Sequence, residues 1–177
     1  NVFGRMDFQG GTYYQGGDFI QVVGIATKFA RVTITNDAEV RIVPHSTNFG
    51  RHTAFYVGAA GNAAVTGELV VAGGNLILTN GLGRYFVSGV ARSNNGEIVL
   101  GNKPTSHGIM RVSGGSVRAY QIWMGGHKMR TVSADGSTSA GLTDEQANSS
   151  KADLFLSGGE IYTLRGISNN TLNTSTY

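Results

Sequence analysis

Seven basic side chains, Arg84, Arg92, Lys103, Arg111, Arg118, Lys128 and Arg130, fall between residues 84 and 130, where Glu97 is the one acid. This middle third carries a formal +6, whereas residues 1–83 set five bases against five acids and residues 131–177 set two against five. A concentrated positive surface draws polyanions and speeds their capture. Guanidinium forks also match the geometry of carboxylate and sulfate groups. Tyr120 and Trp123 lie in the same segment, and exposed aromatic rings can stack on sugars. The seven cations together with Tyr120 are therefore the candidate binding set for an anionic glycan. The competing reading is that the cations keep a β surface soluble and block edge pairing. Trp123, in a phrase whose equivalents are Val22, Val57 and Phe86, is expected in the core or half-buried.

Other chemistry finds less support. His45, His52, His107 and His127 lack H-x-x-x-H or H-E-x-x-H spacing, so no local zinc motif exists. Asp135, Asp144, Glu145 and Asp153 lie in or beside one polar stretch, but not in the spacing of a calcium loop. Nucleophile elbows, P-loops and dinucleotide fingerprints are missing, and Gly81-Leu-Gly83 reads as a turn. A lyase acting on uronic acids would need a base and a neutraliser for the carboxylate. Residues 84–130 hold those residue types, but types alone are not a site. No catalytic residue, metal ligand or cofactor is assigned.

The elements that must position these side chains follow from a repeated phrase: an apolar strand, a glycine pair, then another apolar strand. It reads Leu69-Val-Val-Ala-Gly73-Gly74-Asn-Leu76, Met110-Arg-Val-Ser-Gly114-Gly115-Ser-Val117 and Leu154-Phe-Leu-Ser-Gly158-Gly159-Glu-Ile161. A looser copy surrounds Gly10-Gly11, and a copy without glycines surrounds Asn36-Asp37. A second beat follows about ten residues on in Phe19-Ile-Gln-Val22-Val-Gly24, Phe55-Tyr-Val57-Gly58, Tyr85-Phe-Val87-Ser-Gly89 and Ile122-Trp-Met124-Gly125, and a third is Glu97-Ile98-Val-Leu100-Gly101. Self-similarity of this kind marks a repeat architecture. Period-two alternation puts one face inward, and strands this short bury a face only by stacking with their equivalents.

The fold expectation is all-β, a parallel β-helix or solenoid of stacked Gly-Gly repeats, with a β-sandwich as the alternative. Residues 1–167 form one domain with a polar insertion at 127–150, and 168–177 read as a linker or frayed end. Glycine is 27 of 177 residues against 2 prolines without a three-residue period, which excludes collagen. The absence of cysteine removes disulfides and thiolate metal sites. No apolar run approaches the roughly 20 residues of a membrane helix. The chain opens on Asn1 without a charged-then-apolar leader, and is expected to be a piece of a longer protein.

The L-x-V-S-G-G-x-L phrase followed by x-F-x-V-G resembles the repeats of bacterial autotransporter-type passenger domains and related large secreted β-repeat proteins. The resemblance covers most of 5–126 and 151–167. It implies a right-handed parallel β-helix at the cell surface or outside the cell, with a structural or adhesive role. The alternatives are a polysaccharide lyase and a passive fibre or sheath unit. Polysaccharide, or neighbouring copies stacked end to end, are the expected partners. Nucleic acid and membrane insertion are not expected.

Overall fold

A computed structural model of the chain describes residues 4–16, 19–22, 29–43, 54–58, 65–78, 84–87, 90–93, 96–101, 105–125, 131–132, 138–139 and 150–169. Their regular elements are all strands. In chain order these are β1 (Arg5–Phe8), β2 (Thr12–Gly16), β3 (Phe19–Val22), β4 (Phe29–Thr35), β5 (Glu39–Val43), β6 (Ala54–Val57), β7 (Thr66–Leu78) and β8 (Arg84–Val87). They continue as β9 (Val90–Ser93), β10 (Glu97–Leu100), β11 (His107–Ala119), β12 (Gln121–Met124), β13 (Thr131–Val132), β14 (Thr138–Ser139), β15 (Lys151–Thr163) and β16 (Ile167–Asn169).

The glycine phrases become long strands bent at a corner. In β7, Leu69 and Val71 point into the core before the corner, and Leu76 and Leu78 do so after it. Val71 to Leu76, Val112 to Val117 and Leu156 to Ile161 are each five residues apart, an odd spacing that would turn the second arm outward in a regular strand. One residue in the left-handed region at each corner (Gly73, Gly115 and Gly159) restores the phase. The glycine-free copy spaces Ile34 and Val40 six apart and uses two left-handed residues, Asn36 and Asp37. Asn and Asp are the non-glycine residues that best tolerate this conformation. At Gly115 two demands coincide. Its φ is +75°, and an added Cβ would overlap the carbonyl oxygen of Gly74 on the neighbouring strand.

Strands pair in parallel with their equivalents in chain order. The larger, curled sheet runs β1-β4-β7-β11-β15, with β2 and β5 pairing alongside on the far arm of the corner. The second sheet runs β3-β6-β10-β12-β16. Successive register places Arg5, Arg31, Glu68, Ile109 and Asp153 in one column, and Met6, Val32, Leu69, Met110 and Leu154 in the next. Inward residues of both sheets, among them Ile34, Leu69, Val112, Phe55, Ile98 and Ile122, share one core. The corners stack as well: Gly101 N donates to Val57 O at 2.8 Å, and Gly125 N donates to Leu100 O at 2.9 Å. An antiparallel sandwich does not account for this parallel pairing in chain order.

Two expectations are corrected. Tyr85-Phe-Val87 does not join the second sheet; β8 pairs with β9 as an antiparallel hairpin, and Glu97–Leu100 takes that position. Trp123 is register partner to Val99, which faces Tyr56, so its equivalents are those residues and not Val57. The three form a small second apolar cluster outside the main core. β16 carries regular structure to Asn169, past the expected boundary at 167. Most of the 127–150 insertion lies outside the described residues, apart from the antiparallel pair β13–β14.

Candidate functional site

Of the eight candidate residues, Arg111, Arg118 and Tyr120 are described with their surroundings. Arg84 and Arg92 are placed by backbone alone, on the hairpin strands β8 and β9. Lys103, Lys128 and Arg130 lie outside the described residues.

Arg111 is committed to a cross-strand network. Its Nε donates to Glu68 Oε1 at 2.8 Å, and Arg31 Nε donates to the other carboxylate oxygen at 2.6 Å. The Glu68 side chain is 6% exposed, whereas the two arginines keep 41% and 46% exposure, so one desolvated acid ties together β4, β7 and β11. On its far side Arg111 lies over the Phe155 ring at 4.3 Å, which extends the chain of contacts to β15. His107 Nε2 and Asp153 Oδ2 meet at 2.7 Å on the same outer surface. These contacts hold neighbouring strands in register.

Arg118 is placed differently. Its column neighbours, Ile77 on β7 and Tyr162 on β15, resemble those of Arg111 (Val70 and Phe155), but Arg118 makes no ion pair with an acid of the described residues. The guanidinium lies 5.1 Å above the Tyr162 ring, a cation–π geometry. Two residues on, the chain leaves β11 at Tyr120. The Tyr120 carbonyl accepts from the amides of Leu164 and Arg165 at 3.1 and 2.8 Å, which pins the turn after β15 against it. The same turn brings Arg165 Nε to the Tyr120 hydroxyl at 2.9 Å, with the guanidinium 5.8 Å from that ring.

Between these pairs runs an open groove of about 460 Å³, lined by Leu78, Arg118, Ala119, Tyr120, Tyr162, Thr163 and Leu164. Its lining comes from the C-terminal ends of β7, β11 and β15 and from the residues that follow β11 and β15. Aromatic rings and a guanidinium are components of a site for a ring-shaped ligand that carries an anion. Glu160 stands at its edge, where its carboxylate accepts from the Tyr162 hydroxyl and holds the phenol pKa above its ordinary value. No histidine lines the groove among the described residues.

Tyr162 and Arg165 were not among the candidates. The signal for Tyr162 was present: setting Gly114-Gly115 on Gly158-Gly159 places Tyr162 in register with Arg118. Arg165 carried none, since it follows the strand in an irregular turn.

A second titratable group stands apart. Glu97 is 7% exposed on β10, and desolvation pushes its pKa up to about 7, with a Trp123 side-chain hydrogen bond acting in the opposite sense. Burial, aided by the Glu97 charge, pushes the neighbouring Tyr56 hydroxyl up to about 12. Among the described residues, no three His, Cys, Asp or Glu side chains converge as a metal site. No helix there is long and apolar enough to cross a membrane, which says nothing of a β-barrel. No protein-family model, curated protein or solved structure matches the chain.

Proposed function

We propose that this chain is a right-handed parallel β-helix segment of a larger secreted or cell-surface bacterial protein, with an adhesive role exercised by binding anionic polysaccharide. The solenoid reading is supported by two sheets of parallel strands paired in chain order around one core. The binding reading rests on one observation, the open groove lined by Arg118, Tyr120 and Tyr162, with Arg118 over the Tyr162 ring and Arg165 over the Tyr120 ring beside it. It narrows the expected basic face: Arg118 and Tyr120 contact the glycan, while Arg111 acts through Glu68 as part of the scaffold.

Retention on immobilised heparin, alginate and neutral dextran tests the proposal. The wild type is retained on the acidic matrices, elutes with salt, and passes through dextran. Arg118→Glu weakens acidic-glycan binding by at least about tenfold, since like charges juxtaposed at a contact cost several kcal/mol. Its circular dichroism is unchanged. Equal retention of wild type and Arg118→Glu overturns the groove, and equal retention on dextran overturns the anionic requirement. Growth of unsaturated-uronate absorbance during incubation would make the protein a lyase instead.

A further inference from the structure

Arg111 and Arg118 have similar direct neighbours and differ in what becomes of the acid on the diagonal. Arg111 is register partner to Val70 on β7 and reaches Glu68, two residues before that partner, at 2.8 Å. His107 and Asp153 meet at 2.7 Å on a diagonal between β11 and β15. Long side chains on β11 therefore span a diagonal to either neighbouring strand. For Arg118, the positions two residues before its register partners are Asn75 on β7 and Glu160 on β15. The Asn75 side-chain oxygen already accepts from the Ser116 hydroxyl at 2.7 Å. Glu160 is an acid at the same offset that Glu68 has from Arg111, yet Arg118 and Glu160 form no ion pair.

The contacts of Tyr162 account for this. It lies two residues after Glu160 and on the same face of β15. Its hydroxyl donates to Glu160 Oε2, and its ring lies 5.1 Å from the Arg118 guanidinium. One side chain thus engages both members of a pair that does not form. The hydrogen bond to Glu160, and then the Glu160 charge, hold the phenol pKa above its ordinary 10 against the opposing effect of Arg118, so the hydroxyl remains a donor at neutral pH.

We propose that the Tyr162 hydroxyl is a positioning group for the glycan site, holding the Glu160 carboxylate off Arg118 so that the guanidinium keeps its donors for the ligand. The inference rests on the binding reading above and adds a way in which that site is blocked from within. Without the hydroxyl, Glu160 loses its donor, and the guanidinium on its diagonal offers a charged replacement. The new contact would repeat the Glu68–Arg111 pair on the other side of β11, and an anionic ligand would have to displace it. Arg118 and Glu160 are both exposed, and ion pairs between exposed groups are weak, so the block is a matter of a few-fold in affinity and not of abolition. All three residues belong to the β11–β15 pair, and the contacts among them draw on no other strand.

Calorimetric titration of the full chain with heparin and with alginate tests it as a double-mutant cycle. Tyr162→Phe keeps an aromatic ring beside Arg118, deletes only the hydroxyl, and lowers affinity about threefold. In the Glu160→Gln background the same change leaves affinity where it was, because no charge remains to pair with Arg118. That recovery also shows that the loss in the single variant is not a folding defect. Arg118→Glu, run beside them, checks the site itself. Failure of Arg118→Glu to weaken binding removes the groove reading and this inference with it. Where Arg118→Glu binds weakly but Tyr162→Phe binds like the wild type, the groove stands and the positioning role is overturned. An equal loss for Tyr162→Phe in both backgrounds overturns it too, since the hydroxyl then meets the glycan directly.

Discussion

Glu97→Gln should stabilise this protein at neutral and alkaline pH while leaving it unchanged in acid. Glu97 is desolvated on β10, and its carboxyl titrates at about 7 in the fold against an ordinary 4.5. Because the folded pKa is the higher one, the folded state holds a proton that the unfolded state has released throughout that interval. Stability therefore falls as pH rises, at about 1.4 kcal/mol per pH unit for one proton. Glu97's contribution is fully present below pH 4.5 and is lost as pH passes about 7, a total on the order of 3 kcal/mol. Glutamine mimics the protonated acid in shape and never ionises, so it escapes this loss. Urea unfolding of both proteins at closely spaced pH values, followed by far-ultraviolet circular dichroism, gives the difference directly. Other titrating groups are common to both proteins and largely cancel. Coincidence is expected at pH 4, divergence between 4.5 and 7, and a plateau above. Trp123 is the sole tryptophan and interacts with Glu97, so its fluorescence in the folded wild type should titrate over the same range. A constant difference across pH, or a variant less stable than wild type at pH 8, would refute the assignment of a desolvated, proton-holding carboxyl.

Two further substitutions probe the scaffold. Gly115→Ala combines a left-handed backbone with overlap onto the Gly74 carbonyl, and should lower unfolding stability by about 2 kcal/mol or more, whereas Gly10→Ala, with ordinary space for a Cβ, should change it by less than about 1 kcal/mol; equal urea midpoints would count against the corner geometry. Glu68→Gln leaves two arginines without their shared charge, but both keep water contact, so the loss should be about 1–2 kcal/mol and not the full cost of a broken buried pair. A melting temperature within error of wild type would show the triad to be energetically idle.

Much of the scaffold was legible because its grammar is local. A glycine pair between alternating apolar arms states both the strand and the corner. Even the glycine-free copy was readable, since Asn36-Asp37 supplies two left-handed residues over an even spacing where one glycine serves an odd one. The second sheet was harder. Tyr85-Phe-Val87-Ser-Gly89 and Ile98-Val-Leu100-Gly101 share the same pattern, and nothing within either says which one pairs with itself and which returns to the stack. A slip of one residue flips every side chain in a strand, and such a slip put Trp123 in the place of Val57 instead of opposite Val99 and Tyr56. The groove was half legible: Arg118 and Tyr120 share a segment, but Tyr162 comes from the next strand, and Arg165, which contacts Tyr120, from the turn after it.

That division bears on how cationic sequence becomes a binding surface. Parallel, in-register stacking sets each outward residue beside its equivalents, so a cation repeated in every copy would face its own kind a strand spacing of about 4.8 Å away. The columns mostly vary the residue: Arg41, Ile77, Arg118 and Tyr162 occupy one, and Arg5, Arg31, Glu68, Ile109 and Asp153 another, in which Arg5 and Arg31 are like-charged neighbours. A cation whose acid partner lies within reach across the strands, as Glu68 does for Arg111, is absorbed into the scaffold. Arg118, whose aliphatic and aromatic column neighbours match those of Arg111, makes no such ion pair among the described residues. The sign and density of charge along the chain therefore do not tell which arginines are tied up within the scaffold; an acid reached on the diagonal, as Glu68 is from Arg111, does. Opposite outcomes for Arg111→Glu, which sets a second acid beside Glu68 and loses stability, and for Arg118→Glu, which loses glycan affinity, separate this account from one based on net charge alone.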